Sequence, residues 1–272
     1  MHKFLFTTAI FATAAFAHFE VLYTQNTEME GGNEVKISSF FTHPFEGEPI
    51  MKRGMDVDGK VAGNGIKEVF LVHNGEKTDL KSATKQVNWA TKSSKGQGSE
   101  ITLSGANFKS MGDYAVVFVP HPYWEEEEGL YIQQITKLFV NKGGLDTDWQ
   151  NRVAEGHTEI IPLNNPYSVT RGQIFRAKVV DNEGNPVPNA RVEVELLNYP
   201  VNQTKRTFSG NAITASEKKG TNTVITDANG VFAFVPQVAG FWGFAALSSG
   251  SDKEYNGKEL EQDPVIWIQV EE

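Results

Sequence analysis

The chain has 272 residues and a mass of 30.1 kDa, enough for two ordinary domains or one large all-β domain. Its 25 Lys and Arg against 34 Asp and Glu give a formal charge of −9, which disfavours non-specific binding to a phosphate backbone. Cysteine is absent, so disulfides, thiolate nucleophiles, iron–sulfur clusters and Cys-type zinc sites are excluded.

Residues 1–17 read MHKFLFTTAIFATAAFA: one Lys, an apolar run, then Ala15-Phe16-Ala17 in a small-x-small pattern. That order predicts a secretory signal peptide over 1–17 and a periplasmic mature protein. The apolar run falls short of the roughly 20 residues that span a bilayer. Cleavage after Ala17 leaves His18 at the mature chain start, where an α-amine and an imidazole Nδ1 together can chelate one divalent cation.

Short extended runs dominate the chain beyond residue 18. Strands are expected over 19–23, 34–41 and 67–73, the last leading into Asn74-Gly75, a hairpin-turn pair. Further strands are expected over 78–80, 101–103 and 113–120, with a polar stretch over 91–99. The 131–140 segment fits both periods, and its Ile and Val content favours a strand. Residues 141–156 are read as a loop or short helix, and 159–163 leads into a second unit. There strands are expected over 173–180, 190–197, 223–226, 231–235, 240–247 and 264–270, with a polar insertion over 198–220 carrying the sequon Asn202-Gln203-Thr204. Six strand starts in roughly 100 residues predict a two-sheet sandwich. The expected division is an N-terminal β-sandwich-like domain over 18–163 and a C-terminal β-sandwich over 164–272.

Two His-Pro pairs, His43-Pro44 and His121-Pro122, each follow the end of an apolar strand. Proline after the His restrains the backbone that carries the imidazole. Convergence of His43 and His121 on His18 would assemble four nitrogens, a set suited to Ni²⁺, Co²⁺, Cu²⁺ or Zn²⁺ rather than Ca²⁺ or Mg²⁺. The alternative is that both are loop residues with ordinary hydrogen bonds. His157, at the unit boundary, is a weaker fourth imidazole or an interdomain hydrogen-bonding group, and His73 reads as a surface hairpin residue. Glu125 to Glu128 read as a solvated loop or as a cation-attracting lip. Met51 and Met55 are candidate soft contacts to copper, and Tyr123, Trp124, Tyr131 and Trp149 are candidate pocket walls or core. No nucleophile elbow, Walker loop, dinucleotide fingerprint or zinc-protease helix is present, so the chain is read as a non-enzyme.

The stretches AHFEVLY at 17–23, FFTHPFEGEPIMKRG at 40–54, YAVVFVPHPYWEEEEGLYIQQITKLFVNKGG at 114–144, EIIPLNNPYSVTRGQIFRAKVVDNEGNPVPNARVEVELLN at 159–198 and TDANGVFAFVPQVAGFWGF at 226–244 resemble a family of secreted bacterial proteins with a domain of formerly unknown function, DUF4198. Members are often associated with nickel and cobalt uptake through energy-coupling-factor transporters. The resemblance implies an all-β fold whose second half is a transthyretin- or carboxypeptidase-regulatory-like (Ig-like) sandwich. It also implies His18, His43 and His121 as metal ligands, with Glu159 and Pro162 as structural residues at the junction. The function so implied is capture of Ni²⁺ or Co²⁺ (Cu²⁺ or Zn²⁺ also fitting the donors) and its delivery to an inner-membrane uptake system of the energy-coupling-factor type. Two alternatives stand beside it. One is a copper-binding protein or histidine-brace copper oxidase or monooxygenase. The other is a non-metal periplasmic or surface adhesion or binding module, which needs no convergence of the three imidazoles.

Overall fold

The computed structural model describes residues 18–272, so the expected leader over 1–17 lies outside the described residues. Three stacked β-layers make up the architecture. The middle layer is a long sheet ordered Thr221–Ile225, Arg191–Leu196, Gly240–Ala246, Lys258–Glu271, Leu130–Lys142, Gly112–Pro120, Ile66–His73 and Glu76–Asp79. On one side lies a six-stranded sheet that runs from Phe19–Tyr23 and Glu34–Thr42 through Lys95–Ser104 and Thr84–Ala90 to the hairpin Thr207–Phe208 and Val201–Asn202. Against the other side packs a three-stranded sheet of Glu159–Pro162, Phe175–Val180 and Val231–Phe234.

Successive residues of a strand point to opposite faces, and the middle layer uses both. Val69, Leu71, Val116, Phe118, Val140 and Trp267 join the core shared with the six-stranded sheet. Their neighbours Phe70, Val72, Val117, Val119, Phe139, Ile266 and Ile268 join the core shared with the three-stranded sheet. This double burial explains why the sequence there reads as unbroken apolar runs such as YAVVFV rather than alternating ones. The ambiguous 131–140 segment is a strand for the same reason, extended to Leu130–Lys142. It pairs in parallel with Lys258–Glu271, Tyr131 opposite Leu260 through Leu138 opposite Trp267. One sheet therefore runs across the expected border at residue 163. Close packing in it requires Gly243, which lies opposite Trp267; a Cβ there would come within 2.6 Å of the indole.

The all-β sandwich expectation is met at that level. Residues 141–156 contain no helix; Asp113 instead accepts the backbone N–H groups of Thr147, Asp148 and Trp149 and fixes the loop. The 198–220 insertion folds into a small hairpin that joins the six-stranded sheet, Thr207 pairing with Ala90, followed by a single helical turn, Glu217–Gly220.

Candidate functional site

His18 precedes the edge strand Phe19–Tyr23, and Gln134 pins this start from below. Its side-chain amide donates to the His18 carbonyl at 2.6 Å and accepts from the Glu20 N–H at 2.7 Å. Glu20 interrupts an otherwise apolar strand and is buried with Arg53. The guanidinium grips it through two bonds of 3.0 Å and reaches Ser99 and Ser39, while Ser39 donates to the same carboxylate at 2.6 Å. Burial pushes the Glu20 carboxyl up, against the opposing pull of Arg53. The pair ties the loop after His43 to the sheet floor.

His43 begins a tight turn closed by the Gly47 N–H on the His43 carbonyl. Its loop is held from the second half of the chain: Asn198 donates to the Pro44 and Phe45 carbonyls and Glu195 accepts from the Phe45 N–H. Tyr123–Glu125 forms a hairpin with the start of Leu130–Lys142. The acidic run occupies the hairpin tip, where Glu126, Glu127 and Glu128 are exposed and Glu125 is turned inward and buried.

These elements bring His18 and His43 together, ring centroids 4.4 Å apart and edge-on. Phe41 lies 5.8 Å and Tyr123 6.3 Å from the His18 ring, and the Glu125 carboxylate stands 3.4 Å from His18 Nδ1. Burial, reinforced by His43 and opposed by Glu125, pulls His18 down to about 4. His43 is lowered mainly by burial, against Glu46 and Glu125. Tyr123 is pushed up to about 12 by burial and by the carboxylates of Glu125, Glu127 and Glu126. At neutral pH the His18 and His43 imidazoles and the Tyr123 phenol are therefore neutral.

His121 lies beside this group but outside it. Its N–H donates to the Gly65 carbonyl at 3.0 Å, and it shares with Phe41, Tyr123, Arg53 and Gln134 a small cleft. Burial lowers it, as do Lys67 and Lys81. His157 belongs elsewhere, 3.6 Å from Glu68, lowered by burial first and raised by that carboxylate. His73 stacks on Tyr114 at 4.0 Å and meets the Asp113 carbonyl. Among the described residues no group of three or more His, Asp or Glu side chains is disposed to hold a metal ion. The expected function, capture of nickel or cobalt by converging imidazoles and its delivery to a transporter, is corrected on that finding.

Glu20, Arg53 and Gln134 carry little signal in the sequence. The only sign is a carboxylate inside the apolar run FEVLY; Arg53 and Gln134 sit in stretches with no distinguishing pattern.

Fold and rim together define an all-β sandwich protein with a cluster of imidazole and aromatic rings where the chain start, the His43 loop and the Tyr123 hairpin meet. The chain belongs to the family described as Domain of unknown function (DUF4198), whose model matches residues 15–250. No curated protein matches it. Among solved structures it is similar to the Escherichia coli adhesin FdeC, at 15% identity over 93% of this chain and 64% of that one, with a TM-score of 0.22. It is also similar to the Yersinia pseudotuberculosis adhesin InvE, at 12% identity over 92% of this chain and 58% of that one, TM-score 0.23. A third is the mouse nectin-like molecule 4 ectodomain, at 11% identity over 93% of this chain and 64% of that one, TM-score 0.22. The chain thus spans under two thirds of the length of each.

Proposed function

We propose that the chain is a non-catalytic binding module acting outside the cytoplasm, which recognises a glycan at the His18–His43–Tyr123 rim. The observation that supports this most directly is the rim itself. The half-buried Tyr123 ring lies 6.3 Å from the half-buried His18 ring, which meets His43 edge-on, and the buried Phe41 ring backs them 5.8 Å from His18. Sugar rings offer C–H faces that pack on aromatics and hydroxyls that both donate and accept. Neutral imidazoles and a phenol supply matching acceptors and donors. The leader-like composition of residues 1–17 supports placement outside the cytoplasm.

Calorimetric titration of the mature protein with cello-, chito- and malto-oligosaccharides tests the reading. At least one series is expected to bind, with affinity at least about tenfold weaker in Tyr123→Ala and in His43→Ala and with both variants still folded. No heat from any series, or affinity indifferent to both substitutions, refutes it. Saturable binding of a protein at this rim in place of sugar would also count against the glycan assignment.

A further inference from the structure

Beyond the Glu159–Val180 pair, which is buried, the three-stranded sheet buries one face. Ile160, Phe175, Ala177, Val179 and Phe232 point into the core, so by strand alternation their neighbours form the outer face of the stack. Register sets those neighbours in rows. Leu163 lies beside Arg176 and Ala233, and Ile161 beside Lys178 and Val231, with Ile174 and Val235 continuing the same two strands. Leu163, Ile174 and Val235 are 40%, 48% and 37% exposed. Large apolar side chains grouped on one open sheet face are a feature of interaction surfaces.

The charge on this face is unlike that of the rest of the chain. Arg176 and Lys178 occupy its central strand, and neither forms an ion pair among the described residues, although the chain carries a formal −9. We propose that the outer face of the sheet Glu159–Pro162, Phe175–Val180 and Val231–Phe234 docks an extended segment of another protein that carries apolar side chains and carboxylates together on one of its faces, at every second residue. Every second residue of such a segment faces the sheet, so its apolar groups meet Leu163, Ile174 and Val235 while carboxylates on the same face come within reach of Arg176 and Lys178.

Charge decides among the other occupants. A second copy of the same face would oppose four cations across a two-fold axis. Residues 1–17 contain no carboxylate and offer those cations nothing. An anionic membrane would be met by only two basic side chains on a net acidic chain, where lipid recognition ordinarily uses clusters of about four to eight. The surface lies on a different sheet from the His18 rim, so it is independent of the glycan reading.

Fluorescence anisotropy of a labelled acidic synthetic peptide repeating Val-Ser-Glu-Ser, against a basic one repeating Val-Ser-Lys-Ser, tests the proposal on the mature chain. The acidic peptide is expected to bind saturably and the basic one not. Binding should weaken at least about tenfold in Arg176→Glu/Lys178→Glu and in Ile174→Asp, with circular dichroism unchanged, and should be indifferent to Tyr123→Ala. Equal binding of both peptides, absence of binding, or insensitivity to the charge reversal overturns it. So does concentration-dependent dimerisation abolished by Ile174→Asp, or co-sedimentation with phosphatidylserine vesicles that the charge reversal removes while peptide binding is absent.

Discussion

At His18 burial outweighs the nearby carboxylate, and the sign of that imbalance sets a pH dependence. The imidazole is held at about 4 in the folded chain against an ordinary 6.5. The unfolded chain therefore binds more protons between those values. Stability is complete above about pH 6.5 and is lost progressively as pH falls towards 4. Urea denaturation across this window should show the midpoint dropping with pH, less steeply in His18→Gln; an identical slope in the variant contradicts the assignment. The same scale holds the Glu20–Arg53 pair, with both partners buried. Arg53→Met leaves the carboxylate without its counter-ion, and a loss of about 3–5 kcal/mol is expected from chemical denaturation. A change under about 1 kcal/mol would mean that Ser39 satisfies Glu20 without Arg53.

At the scale of elements, strands buried on both faces were legible because their apolar runs leave no other reading: 113–120 and 264–270 are examples, both lying in the middle layer. Thr84–Ala90 was not legible. Of its seven residues TKQVNWA only Trp89 is buried, so the segment carries too little apolar signal to mark a strand whose pairing with Lys95–Ser104 is a backbone matter. The site shows the same division. The two His-Pro loops were visible as strand ends, whereas the pairing of His18 with His43 and the exclusion of His121 depend on how loops anchored by Asn198 and Gly65 cross the sheet end, which no local pattern encodes. Element contacts also make a prediction. Lys137 of the middle sheet and Glu159 of the three-stranded sheet form a buried ion pair, and Glu159 also accepts the N–H groups of Val153 and Ala154. Lys137→Met should destabilise by about 3–5 kcal/mol, read from the denaturation midpoint. A neutral result would show that the backbone donors suffice.

For the whole molecule, the parallel pairing of Leu130–Lys142 with Lys258–Glu271 joins the sequence halves in one sheet, and alternate residues of that sheet feed both cores. Neither core can lose the middle layer while the other keeps it. Scanning calorimetry should therefore give one transition with equal van't Hoff and calorimetric enthalpies. Two resolved transitions would mean that the halves on either side of residue 163 fold separately. The glycan reading belongs to this scale as well, because the rim is assembled from the chain start, the His43 loop and the Tyr123 hairpin, with Asn198 of the second half fixing the loop. Amide chemical-shift mapping with the oligosaccharide that binds tests it most directly. Perturbations confined to residues 18, 41, 43 and 123–125 are the predicted result; perturbations elsewhere on the chain, with these signals unmoved, would contradict it.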